Sequence, residues 1–332
     1  MTKAISIVIP TVNFSHYLDY AIQSAIECGI QDSEIVVHIN NTSESDFENS
    51  KFWKSEEVKW CGGCYYNIMP MDESITTALD HASGPWLFLL SDDDMICDNF
   101  LEGIDLKYLS SNSLYMTHVS IIDEYNKITR TSKSLFSDVK VISRDQGMDW
   151  FFNRLLHNHL SLFVFSRTLY DKVGPYRIVG YPNGYYMDTV MHGKFIANCD
   201  EIYGSKMQVV LRRESSFQGS SKFYFKGVNS YFEAIVDNLF SDEEFKNNVI
   251  LRYRNRKRFK KKMIQDRFKT EWSKLNKSIY NNNISRKIAF LWYYTMSWNT
   301  GIIYKISSLM YIVFYRFKNL VPSSVKKKAE IS

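Results

Sequence analysis

Ser91-Asp92-Asp93-Asp94 places three adjacent carboxylates directly after the apolar run Pro85–Leu90 (PWLFLL). Like charges at consecutive positions raise one another's pKa, so holding them together costs free energy unless a cation offsets it. Hard divalent ions such as Mg²⁺ or Mn²⁺ take one or two carboxylates and then the oxygens of a phosphorylated ligand. A solvated turn capping a helix would need only one or two Asp. Two further polar clusters also end apolar runs: Thr11-Val12-Asn13 follows AISIVIP, and Asn40-Asn41-Thr42-Ser43 follows EIVVHI. Downstream, Asp188 and His192 stand four residues apart, which on a helix puts both on one face. His192 is read either as a contact to an acceptor or phosphate or as a packing residue. The basic pair Arg212-Arg213 would offset the charge of a bound diphosphate, or else be an ordinary surface pair. His157 and His159 have no carboxylate at matching spacing and read as structural or acceptor contacts, not as metal ligands. Cys61-Gly62-Gly63-Cys64 is a lone C-x-x-C without partner residues, so it reads as a loop with two thiols and not as a zinc site.

These groups need elements to position them. Ala4–Pro10, Glu34–Ile39 and Pro85–Leu90 read as buried strands, and residues 15–28 and 74–82 as helices between them. Strand and helix alternating, with polar turns, predicts an α/β fold with a mostly parallel, Rossmann-like sheet covered by helices on both faces. In such sheets ligands bind beyond the carboxyl ends of the strands, where all three polar clusters lie. Further strands are expected within 114–142, over Leu160–Phe165 and over Val209–Leu211, with a helix over 145–158. Beyond residue 214 the reading is helical, over Tyr231–Phe240 and Asp242–Arg258. No internal repeat of 20–50 residues is visible.

Charge divides the chain in the same place. Residues 1–100 hold 4 Lys/Arg against 16 Asp/Glu, whereas residues 211–332 hold 25 against 9. An acidic 1–214 and a basic 215–332 are expected to have different jobs. The start of the sequence has one lysine and no apolar h-region, so no signal peptide is expected and the chain is placed in the cytoplasm. Five unevenly spaced cysteines agree, being unlike a secreted disulfide framework.

The ordered set SIVIPTVN, a second strand ending in a short polar turn, AxGxWLFLLSDDD and LSLFVFSRTLYDKVGPYR resembles the family 2 glycosyltransferases, which have the GT-A fold. The resemblance covers about residues 4–212 and implies a catalytic nucleotide-sugar-binding domain at 1–214. By that likeness Pro10, Thr11 and Asn13 meet the nucleotide, and Asn40 stands where the family carries a base- or ribose-binding Asp. Asp72 resembles another base contact. Within the acidic triplet Asp92 would face the ribose and Asp94 the metal, although Asp92-Asp93 could hold those places and Asp92 could share the ion. Asp188 matches the base that takes the acceptor's proton, with Met187 in place of the usual Glu before it, and the implied outcome is inversion. His192 and Arg212 remain as acceptor or phosphate contacts. The implied cofactor is Mn²⁺ or Mg²⁺. Size and the DDD form resemble hexosyltransferases of bacterial O-antigen or capsule assembly, including those for deoxy- and dideoxyhexoses such as abequosyltransferases. The implied partners are a nucleoside-diphosphate sugar and an oligosaccharide on a lipid diphosphate.

A non-catalytic scaffold of the same fold is one rival reading. A sugar-phosphate nucleotidyltransferase is another, but it should carry a Gly-rich loop where this chain has PTVNFSHY. The tail supplies a membrane handle on paper. Residues 302–318 are amphipathic as a helix, with Lys305 breaking any run long enough to span a bilayer. Eight of the eleven residues in 252–262 are basic, which suits an anionic membrane surface at the inner face of the cytoplasmic membrane. Packing of residues 288–317 as core helices is the alternative, and no nucleic-acid motif accompanies the basic run.

Overall fold

The computed structural model describes residues 4–12, 14–28, 33–41, 43–64, 67–98, 100, 104, 106, 110–132, 134–136, 140–153, 159–177, 179, 187–214 and 228–263. Asn13, His157 and the whole tail segment 264–332, with its amphipathic stretch, lie outside them. Two compact units divide the chain: Met1–Lys222 with Ala234–Arg254, and Phe223–Glu233 with Asn255–Ser332. The first unit thus takes residues 234–254, which the charge pattern alone assigns to the tail.

The elements of the first half run β1 (Ile5–Val12), α1 (Leu18–Glu27), β2 (Ser33–Asn41), β3 (Val58–Cys64), α2 (Met71–Asp80), β4 (Trp86–Leu89) and β5 (Met95–Ile96). The second half adds β6 (Ser113–Ile122), β7 (Ile128–Thr131), β8 (Lys140–Ser143), α3 (Arg144–Phe152), β9 (Phe163–Ser166), α4 (Arg167–Val173), α5 (Met187–Asn198) and β10 (Glu201–Arg213). Helices α6 (Val228–Phe240) and α7 (Glu243–Tyr253) follow. One sheet holds all ten strands, in the order β3-β2-β1-β4-β9-β6-β10-β5, with β7 on β6 and β8 on β10.

The sheet is mixed where the sequence predicts mostly parallel. β3, β2, β1 and β4 are parallel neighbours, and so are β6 and β10. Between these blocks β9 runs antiparallel to both β4 and β6. The carboxyl ends of β1, β2, β3, β4, β6 and β10 therefore share one edge of the sheet, and β9 begins there. Pro10 is tolerated in the central β1 because its side of the strand faces β4, whose last paired residue is Leu89 opposite Val8.

Alternation along β1 sends Ile5, Ile7 and Ile9 to one face. There they pack with Ile35, Val37 and Ile39 of β2 and with Leu18, Ala21, Ile22 and Ala25 of α1. Ile75, Ala78 and Leu79 bury the inner side of α2 against β1–β3. Helix α7 closes over α3, where Phe245 meets Phe151 and Phe152 edge-on at 5.8 Å and 5.9 Å, and Asp242 caps it by accepting from the Phe245 amide. The single long helix expected over 242–258 breaks at Arg254, which adopts φ 65°. Two further expectations change. Cys61-Gly62-Gly63-Cys64 is part of strand β3, not a loop, and β10 spans thirteen residues where only Val209–Leu211 were expected.

Candidate functional site

Strand β1 delivers Thr11 to the shared edge, where it is 3% exposed, and β4 delivers the acidic turn beside it. Thr11 Oγ1 donates to Asp92 Oδ2 at 2.6 Å. The turn closes with the Asp94 amide donating to the Ser91 carbonyl at 3.1 Å. Asp94 is 2% exposed. Its Oδ1 accepts from the main-chain N–H of Arg213 at 2.9 Å, and its Oδ2 receives the Ser161 hydroxyl at 3.4 Å. Four elements thus converge on the triplet: the ends of β1, β4 and β10, and the turn that leads into β9.

Electrostatics follow from that burial. Asp92 is pushed up to about 7, first by burial and then by the charge of Asp93, with the Thr11 hydroxyl pulling the other way. Asp94 is pushed up to about 8 by burial and by Asp93, against the Arg213 amide and the charge of Arg212. Two carboxylates so displaced want a cation. Their chemistry fits a hard divalent ion that completes its shell with ligand oxygens and water. Among the described residues no group of three or more His, Cys, Asp or Glu forms a ready-made metal cage. Asp92 and Asp94 are the residues that would hold the ion.

Helix α5 brings Asp188 to the same edge. Phe195 stacks on Phe165 of β9 at 4.6 Å, and His192 meets Phe163 edge-on at 5.0 Å. Moving back along α5 therefore moves back along β9, toward its Asp94 end. Helix α5 ends at Asn198, just before β10 opens at Glu201 on the opposite edge, so its first turn, which carries Asp188, lies on the side of the carboxyl ends. Asp188 is half-buried in the first turn of α5, where negative charge suits the helix dipole, and its Oδ1 accepts from the Thr189 amide at 2.6 Å and hydroxyl at 3.4 Å.

One expected ligand contact is corrected, and of the two readings of His192 the structure favours packing. Asn40 is 1% exposed and faces the loop before α2: its Nδ2 donates to the Met69 carbonyl and its Oδ1 accepts the Met69 amide, both at 2.8 Å. It fixes that loop and does not present itself to a nucleotide base. Asp72, 5% exposed, opens α2 just beyond the same loop. His192 is 1% exposed and pushed down to about 3 by burial, so it is a neutral packing residue that cannot reach an acceptor or phosphate. His159 is likewise buried, at 7%. Arg212 remains half-buried at the edge and acts on Asp94 by its charge.

The side chain that the sequence leaves ambiguous is Arg213. It is 0% exposed, and its guanidinium carbon lies 4.1 Å from the ring centroid of Tyr17. Nε donates to the Asp93 carbonyl at 2.9 Å. A basic pair at a strand end signals only that one of the two faces inward. Here Arg213 turns inward, and Arg212 stays half-buried.

No protein-family model matches the chain, and no curated protein matches it either. Solved structures do. The S. aureus TarS fragment 1–349 aligns with a TM-score of 0.53 at 13% identity, over 76% of this chain and 73% of that one. The same fragment in complex with UDP-GlcNAc gives 0.56 at 13% identity, over 75% and 73%. In complex with UDP it gives 0.52 at 13% identity, over 74% and 72%. The chain therefore shares with TarS a GT-A-like α/β fold, a central sheet flanked by helices.

Proposed function

We propose that the protein is an inverting, divalent-metal-dependent glycosyltransferase using a nucleoside-diphosphate sugar. The observation that carries this reading is the pair of carboxylates at the carboxyl edge of the sheet, Asp94 buried and Asp92 partly buried, held there by the Arg213 amide and the Thr11 hydroxyl. Uridine diphosphate sugars are the first donors to test, because TarS has been crystallised with UDP-GlcNAc and with UDP. Asp92 and Asp94 would hold Mn²⁺ or Mg²⁺. When bound, such an ion offsets the negative charge that develops on a departing diphosphate.

The protein's own residues do the rest. Thr11 and the Arg213 amide orient the two carboxylates before any ligand arrives. Asp188 takes the proton of an acceptor hydroxyl as that oxygen bonds to the anomeric carbon. The bond from the same carbon to the diphosphate breaks, and its electron pair leaves with the diphosphate. A single displacement of this kind inverts the anomeric centre. The acceptor class, a glycan on a lipid diphosphate in O-antigen or capsule assembly at the inner face of the cytoplasmic membrane, rests on the sequence resemblance and on the basic 252–262 run. The same resemblance supports a deoxy- or dideoxyhexose as the sugar. Among the described residues no helix is long and apolar enough to cross a membrane.

The test is donor turnover by wild type, Asp188→Asn and Asp94→Ala. Loss of a general base lowers kcat by about 100-fold or more. Asp188→Asn should show that loss with UDP binding retained, whereas Asp94→Ala should lose the metal-dependent part of UDP binding. Turnover unchanged in both variants would refute the mechanism.

A further inference from the structure

Arg213 ends β10 with its guanidinium sealed from solvent. Beyond its bond to the Asp93 carbonyl, Nη1 donates to the Asp123 carbonyl at 2.7 Å and Nη2 to Asn126 Oδ1 at 2.6 Å. One side chain thus ties the acidic turn after β4 to the turn that joins β6 and β7. That second turn is itself firm. Asp123 Oδ1 accepts from the amides of Tyr125 at 3.0 Å and Lys127 at 2.9 Å, and Asn126 takes the left-handed φ of 63° that Asn tolerates. Tyr17, which leads into α1, supplies an aromatic face against the guanidinium. Burying a guanidinium carries a desolvation penalty, and an apolar side chain of similar volume would fill the space without it. The planar fork offers what an apolar side chain cannot, donors at fixed angles to three separate acceptors.

We propose that Arg213 is a positioning residue. It clamps the Asp93 carbonyl to the rigid 123–126 turn and so holds Asp92 and Asp94 in the arrangement that receives a metal–diphosphate ligand. This inference rests on the proposed function, and it names a part of the machinery that touches neither sugar nor acceptor. It also separates two neighbours of one charge: Arg213 builds the site from below, while Arg212 stays half-buried at its edge.

The experiment compares wild type, Arg213→Lys and Asn126→Ala in the full chain. Lysine keeps the charge but is a point donor that cannot span the three acceptors. Asn126→Ala removes one bond of the clamp without touching any carboxylate. Three readouts are taken: the melting temperature, hydrogen exchange at the Asp94 and Ile96 amides, and UDP affinity with Mn²⁺ present. Those two amides are bonded to the Ser91 carbonyl and to Ser24 Oγ, so they report the turn directly. The expected result is faster exchange at both amides in both variants. UDP binding with Mn²⁺ should weaken about ten-fold in Arg213→Lys and about three-fold in Asn126→Ala, the span for losing one ordinary net hydrogen bond. A lowered melting temperature with wild-type affinity for Mn²⁺ and UDP would make Arg213 purely structural and overturn the proposal. If Arg213→Lys fails to fold, unchanged exchange and affinity in Asn126→Ala overturns it equally. Should wild type bind no UDP with Mn²⁺, the functional reading fails, and exchange at Asp94 and Ile96 still decides whether Arg213 holds the turn.

Discussion

Without a cation, the acidic triplet should make the protein less stable as pH rises through neutrality. Asp92 and Asp94 sit near 7 and 8 in the folded protein, far above the ordinary carboxylate value of about 3.9. The folded state then binds more protons than the unfolded one between those limits, and stability falls by about 1.4 kcal/mol per pH unit per group. Two buried histidines oppose this at lower pH. His38 and His192 are pushed down to about 4 and about 3, so they add stability as pH rises toward the ordinary histidine value of about 6.5. Below 6.5 the two pairs roughly cancel. Above it the coupled carboxylate pair dominates, and losing its protons between pH 6.5 and 8 costs about 2–3 kcal/mol in all. For a domain of this size that is a fall in Tm of about 5–10 °C between pH 6.5 and 8. The assay is Tm against pH for wild type and Asp94→Asn, in chelator and in Mn²⁺. The variant should lose most of the slope, and Mn²⁺ should reverse it by favouring the ionised carboxylates. A wild-type Tm that stays flat or rises from pH 6.5 to 8 in chelator would refute the placement of these side chains.

Two substitutions test the scaffold around the site. Asn40→Ala leaves the Met69 amide and carbonyl without their side-chain partner, so it should cost about 1–3 kcal/mol in urea unfolding. A change in nucleotide preference with no loss of stability would instead restore Asn40 as a base contact. Gly62 has φ 86°, and a Cβ added there would lie 2.3 Å from the Ile39 carbonyl oxygen. Gly62→Ala should therefore destabilise by more than about 2 kcal/mol, read in the same experiment, and a neutral result would contradict the β2–β3 register.

That glycine also shows where the sequence stops being legible. Strands β1, β2 and β4 announce themselves because they are buried on both faces, so nearly every residue is apolar and each ends in a polar turn. β3 does not. Its Gly62-Gly63 pair reads as a turn, and only the close approach of the Ile39 carbonyl, invisible until β2 is in place, makes glycine the residue that fits a strand there. β10 is hidden for a related reason. Gly204, Ser205 and Lys206 interrupt its apolar pattern, and the structure absorbs them as irregularities between Gly204 and Gln208 and again before Val210. The antiparallel insertion of β9 cannot be read from a run such as LSLFVF, which carries no direction.

The site divides in the same way. The acidic triplet is legible because three consecutive charges after an apolar strand are costly and demand a reason. Asp188 is legible only through family likeness, since a single Asp near a helix start is ordinary. Asn40 misleads because its polar type suggests a ligand contact, whereas a loop claims it; His192, open between contact and packing in the sequence, packs on a phenylalanine ring. Arg213 is half-legible. The pair Arg212-Arg213 marks the strand end, but which of two adjacent residues points inward shows only in the folded chain, where Arg213 is buried and Arg212 half-buried.

The most direct test of the central claim is a thermal-shift panel of UDP, GDP, CDP and dTDP, each with Mn²⁺, with Mg²⁺ and with chelator. A ligand at about 100 times its Kd stabilises a folded protein by about 2.7 kcal/mol, which the melt resolves. The account predicts that a nucleoside diphosphate, UDP first among them, raises the Tm with metal and that chelator removes the shift. No shift from any nucleotide under any of the three conditions would contradict it, because the sheet edge that gathers Thr11, Asp92, Asp94 and Asp188 would then not be a nucleotide site.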